Sequence, residues 1–87
     1  LKFEVAIDVM PRREISDPQG QTIERALPTL GFEGFESVRV GKRIAVVMEA
    51  ETEAQAREVI EQACQRFLTN PQIEHFSYSL TVTQGTA

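Results

Sequence analysis

From Phe3 to Met10 the chain alternates, with Phe3, Val5, Ile7 and Val9 on one face and Glu4, Ala6 and Asp8 on the other. Period-2 alternation of this kind predicts a half-buried strand. Pro11 ends it, because proline donates no backbone hydrogen to a ladder. Asp17-Pro18-Gln19-Gly20 then predicts a helix entry. Asp17 can accept the orphan N–H groups of a first turn, and Pro18 loses nothing at the first helical position. Ile23, Ala26, Leu27 and Leu30 follow at i, i+3, i+4 and i+7, one apolar stripe. Pro28 removes a backbone bond in the last turn and should tighten or kink the helix there, and Gly31 suits the left-handed stop after it.

Two alternating segments, Phe35–Val40 and Ile44–Ala50, flank Gly41-Lys42, and glycine first in a two-residue loop predicts a type II′ hairpin. Ile44, Val46 and Met48 share one face, Ala45 and Val47 the other. Thr52 with Gln55 forms a capping box, opening a second helix with a broad stripe of Ala56, Val59, Ile60, Ala63, Phe67 and Leu68. Asn70-Pro71 stops it, and Ile73 to Val82 alternates again through Phe76, Tyr78 and Leu80. The expected order is β-α-β-β-α-β. The fold class is therefore α+β: a ferredoxin-like layer with both helices on one face of an antiparallel sheet. One domain is expected over residues 1–82, with 83–87 a frayed tail. The other sheet face would carry Ala6, Ala45, Val47, Ser77 and Ser79. Such a face can be wet or can associate with another chain, and both readings stand.

A chain of 87 residues is one small domain with little room for a private pocket of several hundred Å³. No apolar run approaches the roughly 20 residues of a transmembrane helix. Nine basic residues against thirteen acidic give a net charge of −4, which argues against nucleic acid as partner. One cysteine and one histidine supply neither an internal disulfide nor a zinc site. With no signal-type segment, a cytoplasmic location is expected.

Cys64 lies on the apolar side of the second helix, where only Arg66 could lower its pKa, and reads as a small core hydrophobe. His75 opens a strand on its polar face, without an oriented partner, and reads as a surface histidine. Glu49, Glu51, Glu53, Glu58 and Glu61 read as a solvated helix face. No catalytic, cofactor-binding or metal-binding residue emerges. Two features exceed what a scaffold needs. Gly20 weakens the first helix unless something packs close to it. Arg39, Lys42 and Arg43 surround Gly41 on an acidic protein, as a solvated turn or as a docking site.

At these residues the chain resembles the PurS family, the small subunit of phosphoribosylformylglycinamidine synthase. The resemblance runs from about Phe3 to Leu80 through Asp17-Pro18-Gln19-Gly20, Leu30-Gly31-Phe32, Val38-Arg39-Val40-Gly41-Lys42, Leu68-Thr69-Asn70-Pro71 and Ile73-Glu74. Pro28 and the tail beyond Val82 depart from the pattern. The resemblance implies a non-catalytic part of a glutamine-dependent ligase of purine biosynthesis. It implies a homodimer or tetramer that bridges a large synthetase subunit and a glutaminase subunit and assists ammonia transfer. ATP and Mg would belong to the large subunit, with no cofactor in this chain and no membrane or nucleic-acid partner. Candidate partner-docking residues are Asp17, Pro18, Gln19, Gly20, Arg39, Gly41, Lys42, Arg43, Asn70 and Pro71. The rival readings are a regulatory amino-acid-binding module resembling the ACT family, with its site near Pro11 to Gly20, and an acylphosphatase-type enzyme. The first lacks a glycine-rich turn and the second an Arg-Asn pairing.

Overall fold

The central strand β1 (Lys2–Pro11) is flanked by β2 (Lys42–Glu49) and β3 (Glu74–Gln84) in a computed structural model that describes residues 1–84. Both neighbours run antiparallel to β1, giving the order β2-β1-β3. The alternation of β1 decides the core: Phe3, Val5, Ile7 and Val9 are all buried. Register places Met48, Val46 and Ile44 opposite Phe3, Val5 and Ile7 on one side, and Val82, Leu80 and Tyr78 on the other. Helix α2 (Glu53–Ala63) lays Ala56, Ile60 and the following Cys64 over these residues. Residues on the two outer strands of the same face are only partly covered, because a single helix spans the middle of the sheet.

α2 begins as the sequence predicts. Thr52 Oγ1 accepts the Gln55 N–H at 3.0 Å, while the Gln55 side chain accepts the Glu51 N–H at 2.9 Å. The helix ends in a π turn, Cys64–Leu68, closed by the buried Thr69: its N–H and its hydroxyl both donate to the Cys64 carbonyl, at 3.0 and 2.7 Å. The wider turn brings Leu68 back toward the core and turns Phe67 outward, leaving it 85% exposed. Phe67, read from the sequence as part of the core stripe, is a surface residue, and Val59 is half exposed.

Helix α1 (Pro18–Thr29) forms with Asp17 as N-cap and runs through Pro28 into its last turn. Gly31 takes φ +90°; its N–H donates to the Pro28 carbonyl, and that of Phe32 to Leu27, the paired bonds of a Schellman stop. α1 does not lie on the sheet. None of its hydrophobic residues belongs to the core or to the partly buried set packed against it, and its apolar stripe is open, with Ile23 44% and Leu30 70% exposed. The radius of gyration is 17.0 Å, against about 12 Å for a compact chain of this length.

The antiparallel α+β architecture holds, and the strand expected over Phe35–Val40 does not form. Among the described residues no ladder partner lies beside it; Glu24 Oε1 and Asp17 Oδ2 take the N–H groups of Val38 and Val40 instead. The element order is therefore β-α-β-α-β. Gly41 is accordingly not a hairpin residue. Its φ is not positive, and a Cβ there would collide with the Val9 carbonyl and Met10. At the far end β3 continues past Val82 through Gln84, within the stretch expected to fray, and residues 85–87 of that stretch lie outside the described residues.

Candidate functional site

The segment entering α1 and the arm Val38–Val40 returning toward β2 meet around Asp17. Asp17 Oδ1 accepts the Gly20 N–H at 3.0 Å and Oδ2 the Val40 N–H at 2.8 Å. These two bonds, with the Arg39 guanidinium 3.8 Å away, hold the carboxyl below its ordinary pKa against the opposing effect of burial. Gly20 is glycine because the arm passes over it: a Cβ would lie 2.6 Å from the Val38 carbonyl oxygen. Arg39 donates to the carbonyls of Arg12 at 2.8 Å and Ile15 at 3.2 Å. It therefore braces the loop between β1 and α1.

The sequence places Arg39, Lys42 and Arg43 around one turn. The structure separates them. Arg43 stands opposite Asp8 on the open face of the sheet and pairs with it through two bonds of 2.8 and 3.1 Å. That pairing lowers the Asp8 pKa and raises that of Arg43. Lys42 is exposed and has no ion pair among the described residues. Asn70 and Pro71 shape the turn into β3. The Asn70 side chain accepts the Gln72 N–H at 3.2 Å, and Glu74 accepts the Asn70 N–H at 2.8 Å. The Pro71 carbonyl accepts the Arg12 Nε at 2.8 Å.

Asp17, Pro18, Gln19, Gly41 and Lys42 do come together, lining one side of a groove of about 370 Å³ with Val9 and Val40. Pro18, Gln19, Thr22 and Ile23 line a second, more apolar groove of about 510 Å³ on α1. Asn70-Pro71 and Arg43 lie apart from both. A third groove, of about 560 Å³, holds Arg12, Arg66, Pro71, Glu74 and His75. Sequence reading missed it. Nothing local says that the start of β3 returns beside Arg12.

The chemistry of the remaining candidates is structural. Burial and the charge of Glu61 push the Cys64 thiol up, away from the thiolate a nucleophile needs. Glu61 accepts the Tyr78 hydroxyl at 3.1 Å, and Arg57 sits 5.8 Å above the Tyr78 ring centroid. Among the described residues no helix is long and apolar enough to cross a membrane, and no group of three His, Cys, Asp or Glu side chains is placed to hold a metal ion. The loop where a regulatory amino-acid site would sit is occupied by the Arg39 brace.

A family model described as PurS, phosphoribosylformylglycinamidine (FGAM) synthase, matches residues 4–82. The chain is 39% identical over 74 residues to the Thermotoga maritima PurS subunit, covering 85% of this chain and 90% of that one. It is 36% identical over 86 residues to the Methanothermobacter thermautotrophicus subunit, covering 98% and 100%. Among solved structures, PurS of Methanocaldococcus jannaschii superimposes with a TM-score of 0.83 at 29% identity, over 94% of this chain and 99% of that one. A chain in the Thermotoga maritima PurLQS structure gives 0.86 at 36% identity, over 93% and 99%. Sequence and fold agree along nearly the whole length, and the chain belongs to the PurS family of phosphoribosylformylglycinamidine synthase subunits, which serve purine biosynthesis.

Proposed function

We propose that the chain acts as the non-catalytic small subunit of a glutamine-dependent FGAM synthase in the cytoplasm. As a homo-oligomer it holds a large synthetase subunit, carrying ATP and Mg, beside a glutaminase subunit and assists the passage of ammonia between them. The observation that carries this reading is the open apolar stripe of α1, Ile23 to Leu30, which finds no cover on its own sheet. A small domain leaves such a surface bare only at a cost that a second chain removes. Among the described residues the outer edge of β2 is likewise unpaired, with Ile44, Val46 and Met48 only partly covered beside it. A PurLQS assembly of the Thermotoga relative supports the same reading at the level of the complex.

Reconstitution tests it. Purified large and glutaminase subunits should synthesise FGAM from glutamine only when this chain is added, while synthesis from free ammonium should depend on it far less. An equal glutamine-dependent rate with and without the chain would remove the bridging role.

A further inference from the structure

Phe67 is 85% exposed at the end of α2, and its position is built rather than frayed. The π turn that points it outward is closed by two bonds from the buried Thr69 to the Cys64 carbonyl. Arg66, the residue before it, lines the groove that also holds Arg12 and His75. Arg12 is half-buried, and its Nε is committed to the Pro71 carbonyl at 2.8 Å, which fixes the plane of the guanidinium. Glu74 is the one carboxylate among the lining residues, and it accepts the Asn70 N–H. The groove thus sets two guanidinium groups and an imidazole against one engaged carboxylate, in a chain whose net charge is −4.

We propose that the end of α2 is a docking surface for an acidic segment of a partner subunit, with the exposed Phe67 entering an apolar pocket and Arg66 and Arg12 meeting carboxylates in the groove that Arg66 lines. An aromatic anchor beside arginines is the composition of the energetic centre of protein interfaces. Arginine suits it because its planar fork binds a carboxylate through two parallel bonds. The surface lies on the element that packs over β1, whereas the stripe of α1 lies on an element remote from the core. One chain can therefore engage a copy of itself and a different subunit at once. This inference rests on the proposed role as a subunit of a larger complex.

The test uses the full chain with purified large and glutaminase subunits, and compares wild type, Phe67→Ala and Arg66→Glu. Folding is checked by circular dichroism and self-association by sedimentation. Each variant is expected to lose about tenfold or more in affinity for one partner subunit, as truncation of an interface anchor does. The Arg66→Glu loss should shrink as salt rises, the Phe67→Ala loss should not, and self-association should stay as in wild type. If wild type binds a partner and both variants bind it equally well, the surface is not a docking site. If Phe67→Ala instead dissolves the homo-oligomer, the face belongs to contacts between copies and the partner assignment falls. If wild type binds neither subunit, the bridging role itself falls, and this surface with it.

Discussion

The Val40 N–H donates to Asp17 Oδ2 at 2.8 Å, joining residues 23 apart in sequence. The same carboxylate caps α1 through the Gly20 N–H. One side chain thus starts a helix and anchors the arm that returns from its far end. A capping residue ordinarily satisfies only the first turn. Here it also fixes where the chain re-enters the sheet, because Gly41 follows directly and presses against Val9 and Met10.

Asp17→Asn is expected to lower the melting temperature by roughly 5 °C or more, since an amide offers one acceptor where two N–H groups converge. The folded carboxyl titrates below its ordinary value of 3.8. Its contribution is therefore complete above the unfolded pKa and is lost as pH falls through the lower folded value. Urea midpoints measured between pH 7 and pH ~3 should decline below about pH 4 in wild type. Asp17→Asn should flatten that decline, leaving the part that comes from Asp8, whose pKa is also lowered.

Arg39 and Lys42, three positions apart in sequence, should behave differently. Arg39→Ala leaves the carbonyls of Arg12 and Ile15 without their donor, and should cost about 1 kcal/mol in denaturant unfolding. Lys42→Ala should leave unfolding within experimental error, as exposed substitutions do. Any effect of Lys42→Ala on assembly would then report on docking alone. Equal unfolding midpoints for the two variants would remove the brace assigned to Arg39.

Much of this was legible in the sequence, for a physical reason. The face of β1, the Thr52 cap, the Asp17 cap and the Gly31 stop depend on residues within a turn or two, and local chemistry decides them. Phe35–Val40 was misread because alternation reports a capacity for pairing, while a strand needs a neighbouring edge, and here Glu24 and Asp17 supply acceptors instead. Phe67 was misread because a π turn changes the helical period at one place, and no residue type announces it. The groove of Arg12, Arg66 and His75 was invisible for a third reason: it is assembled from three segments that the register of β1 with β3 and the packing of the end of α2 on the sheet bring together.

Cys64 is fully buried beside Ile60, with its thiol pushed above the ordinary value. In the native protein it should resist alkylation at neutral pH and react at the rate of unfolding. Cys64→Ala should cost about 1–2 kcal/mol from the lost contact and the cavity left behind. Glutamine-dependent synthesis by the reconstituted complex should survive the substitution at a temperature where the subunit stays folded. Loss of that synthesis with assembly intact would give the thiol a chemical role that its surroundings do not support.

The open stripe of α1 makes one further demand, on concentration. Ile23 and Leu30 are exposed in the single chain, and no hydrophobic residue of α1 packs on the core to hold it folded. A helix of this length is marginal in water by itself, because nucleation is costly and tertiary packing usually supplies its stability. If a second copy covers the stripe, folding of α1 and association are linked, and the melting temperature must rise with protein concentration. Ile23→Glu with Leu30→Glu places two carboxylates on that stripe and should yield a monomer by sedimentation. Its melting temperature should no longer depend on concentration, and its helical ellipticity should drop by the share that α1 contributes. The core is untouched by these changes, so β1 and α2 should still unfold cooperatively. A wild-type protein that sediments near 9.8 kDa at micromolar concentration, with a melting temperature independent of dilution, would show that α1 stands alone and that the stripe serves some surface other than a second copy.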